Sequence, residues 1–168
     1  MTVRIARHEC KVSDGTFYLA VSALIGRGDP DVLNLLPATV SPDRVALVGL
    51  HSWEDDVSSH ITDWGLKTFA PAELRQSSQS LLDWLAATGC SRLAIHFDVD
   101  TIDSNEIVLG LGPEPKGLTS SQVRRIVTDL DTAGDVVALT IAEFIPRQVM
   151  HLQQIVDGFP LISVAKSA

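Results

Sequence analysis

Cysteine is scarce in this chain. Only Cys10 and Cys90 occur in 168 residues, far apart and in no Cys-x-x-Cys spacing, which excludes a disulfide framework, a zinc knuckle and a dithiol redox pair. Two buried thiols are the expectation. Cations are also in deficit: 13 Lys and Arg stand against 21 Asp and Glu, for a formal net charge of -8 and a pI near 4.9. Nucleic-acid affinity comes chiefly from Lys and Arg displacing counterions around phosphates, and no Lys/Arg cluster is present, so a polynucleotide partner is excluded. Long apolar runs are missing as well. Nowhere are there about 18 consecutive apolar residues, and the segment from Met1 to Glu9 has no apolar stretch of signal-peptide length. The expectation is a cytoplasmic protein without a membrane partner. Trp53, Trp64 and Trp84 are widely separated and not interleaved with cations, so they predict packing in a core or interface rather than a platform for stacking bases.

What remains is a globular composition, 45% hydrophobic with a mean hydropathy of +0.19. The length suits one domain, residues 1–168, and no repeat, low-complexity segment or linker divides it. Phe17, Ala20, Val21 and Leu24 fit one face of a short helix closed by Gly26, and Asp29-Pro30 reads as an N-cap followed by proline at the first helical position. The run from Arg44 to Gly49 has the length and continuity of a strand buried on both faces. A short strand over 67–70 follows, then a helix opened by Pro71, lined by Leu74, Leu81, Leu82 and Leu85 and stopped by Gly89. Residues 93–97 predict another buried strand. Thr119 and Gln122 have capping-box spacing before a helix lined by Val123, Ile126, Val127 and Leu130. Residues 136–142 predict a strand, and a last helix carries Val149, Leu152, Ile155 and Val156. Strands alternating with helices imply an α/β fold with a parallel sheet between helices.

Chemistry concentrates where the 93–97 strand ends, at Asp98-Val-Asp-Thr-Ile-Asp103. Residues i and i+2 of an extended chain point the same way, so Asp98 and Asp100 are expected to project together from the C-terminal end of a strand, where open α/β sheets bind ligands. Adjacent carboxylates repel unless a proton or a cation sits between them, and hard oxygen donors favour magnesium, calcium or manganese. One strand later a second acid, Glu143, also stands at a strand end. His96 shares the parity of the two aspartates. A histidine packed in the sheet and hydrogen-bonded there is its simpler reading. Gly110-x-Gly112 lacks the strand before and helix after that a dinucleotide fingerprint needs.

Phe97-Asp-Val-Asp100 with Ile102-Asp103, Gly112-Pro-Glu-Pro-Lys-Gly-Leu-Thr119, and Thr140-Ile-Ala-Glu143 with Pro146 together resemble the second half of the arginase, agmatinase and formiminoglutamase family. Val45 to Leu50 resembles that family's preceding strand, and the resemblance runs from about residue 15 to the C-terminus. It implies a three-layer α/β/α arrangement, arginase-like and N-terminally truncated, with a binuclear manganese site that activates water for attack on a guanidino substrate such as arginine or agmatine. Carried over residue by residue, Asp98 and Asp100 become metal ligands, Glu143 a contact to the substrate guanidinium, and Glu54 a substrate contact. The resemblance also suggests a homo-oligomer.

The sequence departs from that pattern in several places. The family's Asp-Ala-His-x-Asp motif is not found, Phe17 stands where a proton-shuttling histidine is aligned, and His51 replaces an arginine. Two aspartates alone predict weak cation retention, because affinity depends on ligand number and fixed geometry. A second expectation is therefore a catalytically inactive truncated relative serving as a structural or oligomerising subunit. A third is a phosphohydrolase of the haloacid dehalogenase type with Asp98 as nucleophile, although 68 residues follow Asp100 and no further acidic pair of that type is evident among them.

Overall fold

The computed structural model describes residues 19–51 and 60–162. Expectations for Cys10, Phe17, Trp53 and Glu54 lie outside those residues. Helix α1 (Leu19–Leu24) ends at Gly26, whose φ of 76° is the left-handed conformation that closes a helix. The Asp29 carboxylate accepts the Asp31 N–H at 2.8 Å and so caps α2 (Pro30–Leu33), with Pro30 in its first turn.

Strand β1 (Ala46–Val48) pairs in parallel with β2 (Lys67–Phe69), Val48 lying opposite Phe69. Its continuous apolar run has a physical basis in two separate clusters. Val45 and Leu47 pack with Val21, Ile25, Ile61 and Leu66, while Ala46 and Val48 pack into the larger core with Phe69 and Leu74. A strand wetted on neither face has no place for an alternating polar residue.

The helix expected to run unbroken from Pro71 to Gly89 is in fact two, α3 (Pro71–Leu74) and α4 (Gln79–Thr88). The break falls at 75–78, where the Ser77 hydroxyl takes the Gln79 N–H at 3.1 Å and competes with the helical ladder. Gly89, at φ 67°, ends α4 as expected. Trp84 meets Phe69 edge-on at 6.1 Å and Trp64 stacks on His60 at 5.3 Å, both as packing groups. Cys90 is half-buried against the core rather than enclosed.

Strand β3 (Arg92–Asp98) pairs in parallel with β4 (Asp135–Ala142), and the crossover that parallel pairing requires carries α5 (Ser120–Ala133). Leu93, Ile95 and Phe97 of β3 face the core, whereas Ala94 is exposed and His96 half-exposed. The expectation of a strand enclosed on both sides is corrected here: among the described residues, one face of β3·β4 is covered and the other is partly exposed. Strand β4 buries Val136 alone, and Val137 and Ile141 remain 41% and 37% exposed. Among the described residues the strands form two separate two-stranded sheets, both parallel, which share the larger core.

Helix α5 lays Val123, Ile126, Val127 and Leu130 on the covered face, and the capping box at its start is formed, Thr119 with Gln122. Arg125 on the same helix donates to the carbonyls of Leu74 and Arg75, tying α5 to the end of α3. Helix α6 (Val149–Val156) buries Ile155 and Val156. Val149, expected on that apolar face, is 53% exposed, because the first turn of α6 stands clear of the core. Among the described residues no helix is long and apolar enough to cross a membrane.

Leu130 is 1% exposed within this core. Leu130→Ala will cost about 2–5 kcal/mol, and Thr119→Ala, which removes the capping hydroxyl, about 1 kcal/mol. Urea denaturation compares the two, and the reverse order would contradict this assignment of core and cap.

Candidate functional site at the carboxyl ends of β3 and β4

Strand β3 stops at Asp98, and the chain turns at once into a 3-10 turn, Val99–Thr101. The cause is local. Asp98 Oδ1 accepts the Asp100 N–H at 2.9 Å, so the side chain captures the donor that a longer strand would have presented to a neighbour. The expectation that both aspartates project from one extended strand is thereby corrected. Asp98 belongs to the strand, Asp100 to the turn. Both carboxylates are enclosed, at 1% and 4% exposure.

Residues 102–118 fold back over this turn. Ile102 and Leu118 form a parallel bridge, Asp103 N–H donates to Leu118 O at 2.8 Å, and Leu118 N–H donates to Thr101 O at 3.0 Å. Gly117 makes that approach possible, since a Cβ there would lie 2.6 Å from Thr101 O. Glu106 accepts both the N–H and the hydroxyl of Ser120, at 2.9 and 2.6 Å, placing its negative charge at the start of α5. Asp100 Oδ2 accepts Gly112 N–H at 2.9 Å from the same excursion. The Asn105 N–H, first among several influences, holds the Asp103 carboxyl below its usual range.

Glu143 follows β4 directly. The register sets Asp98 opposite Ala142, so Glu143 stands one residue beyond Asp98's partner on the neighbouring strand. Its φ is 62°, a left-handed conformation uncommon for a residue with a Cβ. His96 pairs with Thr140 on the less covered face, with its Nδ1 2.7 Å from the threonine hydroxyl, the hydrogen-bonded sheet histidine expected. Burial lowers its pKa, and the charge of Glu143 opposes that shift. His51 sits beyond β1, its Nδ1–H donating to Gly49 O at 2.8 Å and its Nε2 enclosed without a hydrogen-bond partner among the described residues. That tautomer, with its Nε2 lone pair, was not singled out from sequence because it depends on the turn at Gly49.

Residues 7–153, which include both acidic strand ends, match the Arginase family. The chain belongs to the arginase family. An arginase from Eremothecium gossypii is 25% identical over 133 residues, covering 76% of this chain and 33% of that protein. The arginase of Entamoeba histolytica, solved in complex with L-ornithine, superposes with a TM-score of 0.69 at 18% identity, over 78% of this chain and 46% of its own. An arginase from Bacillus subtilis gives 0.67 at 20% identity, over 77% and 47%. At these identities the structural likeness is one of fold. This arginase-family chain spans about half the length of those solved chains and a third of the curated relative.

The family implies a metal, and the donors here fit one in kind: Asp98 and Asp100 offer buried, hard carboxylate oxygens. Asp98 also accepts the Asp100 N–H, and Asp100 accepts the Gly112 N–H. Among the described residues, no group of three or more His, Cys, Asp or Glu is placed to hold a metal ion.

Relief of the left-handed backbone should offset the flexibility that glycine adds, so Glu143→Gly is expected to hold stability constant or raise it by up to about 1 kcal/mol. Guanidinium denaturation measures this, and a loss beyond that size would show Glu143 to be a structural residue rather than one placed for a ligand.

Proposed function

We propose that this chain carries part of a manganese-dependent ureohydrolase site, in which Asp98 and Asp100 hold the cation and Glu143 receives the guanidinium of a substrate such as arginine or agmatine. The observation that carries this reading is the parallel register of β3 and β4, which sets Asp98 and Glu143 on neighbouring strands at the same end of the sheet. A bound divalent cation pair would supply a hydroxide-generating Lewis acid for hydrolysis of the guanidino carbon.

The chain's own residues do the rest. The two enclosed aspartates present fixed oxygen donors in surroundings that exclude bulk water, where charge interactions are stronger than in solvent. Glu143 offers a carboxylate whose two oxygens suit the paired N–H groups of a planar guanidinium. The assignment of Glu54 as a substrate contact stays with the sequence, since that residue lies outside the described ones.

A second reading is favoured by one specific observation: no third metal-binding side chain joins the aspartates among the described residues. A chain that retains the half-sheet without turnover, acting as a structural subunit, accounts for that as well.

Urea release from arginine and from agmatine, assayed with and without added manganese, decides between them. Hydrolysis that needs manganese in excess over protein, and that Asp98→Ala and Asp100→Ala each reduce by at least about a hundredfold, supports the ureohydrolase reading. Absence of urea together with no calorimetric binding of either guanidine leaves the structural subunit.

A further inference from the structure

Gly110, in a Gly110-x-Gly112 pair too short for a dinucleotide fingerprint, makes the closest approach to a carboxylate among the described glycines. We propose that residues 109–112 form a positioning strap that fixes the Asp100 carboxylate and ties it to the turn after Glu143, so that one piece of backbone sets both acidic ends of the site. This deepens, and rests on, the reading of Asp100 as a cation-holding group.

Two contacts from opposite ends of the strap hold the carboxylate. Gly112 donates its N–H to Oδ2 at 2.9 Å. Gly110 lies flat against the same group: a Cβ built there would stand 2.7 Å from Cγ and 2.8 Å from Oδ2, and closer still to Oδ1. Real Cβ atoms do not approach that closely, so any side chain at 110 must displace the carboxylate or the strap. Gly110 is not among the residues with positive φ, and closeness rather than backbone freedom is what demands glycine there.

The far side of the strap grips the chain beyond β4. Leu109, 3% exposed, is anchored in the core and its carbonyl accepts Ile145 N–H at 3.0 Å. The Val108 carbonyl takes the Gln148 side-chain amide at 3.5 Å. Ile145 comes two residues after Glu143, whose left-handed φ starts the reversal of the chain. A displacement of Asp100 therefore reaches the Glu143 turn through the strap and the hydrogen bonds that tie it at either side. A surface turn of no consequence would lack the buried carboxylate on one side and the anchored leucine on the other.

A double-mutant cycle on the full chain tests this, using Gly110→Ala, Asp100→Ala and the pair. If the strap positions the carboxylate, Gly110→Ala lowers the denaturation midpoint in the Asp100 background and does little in the Asp100→Ala background, where the obstructing group is gone. Manganese alone, titrated by electron paramagnetic resonance, should bind Gly110→Ala at least about tenfold more weakly than the parent chain. Hydrogen exchange at the Ile145 amide should quicken in the same variant. Additive effects in the cycle, or an unchanged Ile145 amide, would overturn the strap. A parent chain that takes up no manganese while the cycle remains coupled would remove the cation-holding role and leave the steric fit standing. Gly110→Ala binding manganese as the parent does would overturn the positioning of the cation ligand.

Discussion

The parallel pairing of β3 with β4 is the constraint on which the rest depends. Parallel strands end together at the same edge, and their hydrogen-bond register, Asp98 opposite Ala142, leaves little freedom in where the following residues emerge. Neither acid needs a specific interaction with the other to be brought near. Both inherit their position from a ladder of backbone bonds that α5 stabilises by burying Val123, Ile126, Val127 and Leu130 against the covered face. Packing supplies the energy, and hydrogen bonding supplies the address.

Above that edge the chain solves a second problem, which is how to keep two carboxylates away from water without orphaning them. Backbone N–H groups serve as partners: Asp100 N–H for Asp98 and Gly112 N–H for Asp100. Glycines allow the main chain near enough to provide them, and Gly117 does the same for the carbonyl of Thr101. A carboxylate held in this way takes part of its geometry from the main chain that donates to it.

How much of this was legible from the residues differs by scale. Local rules performed well: the Thr119 and Gln122 box, Gly89 as a stop, Asp29-Pro30 as a start, and the alternation that implied parallel strands. The resemblance to the arginase family was legible too, because its motifs are short, contiguous pieces at strand ends and after loops. Failures came where side chains compete with periodicity. Ser77 splits a helix that the leucines alone would continue, and Asp98 bends a strand that parity alone would extend. Neither the open face of β4 nor the contact of Gly110 with Asp100 could be read in advance. Both depend on what lies across space from a residue rather than beside it in the chain.

The one-sided cover of β3·β4 also bears on how stability varies with temperature. Val137 and Ile141, 41% and 37% exposed in the folded chain, add less to the heat capacity gained on unfolding than they would if fully enclosed. A smaller heat-capacity increment bends the free-energy curve less sharply. The contribution of these two side chains to stability therefore varies more gently between cold and heat than it would in a strand enclosed on both sides.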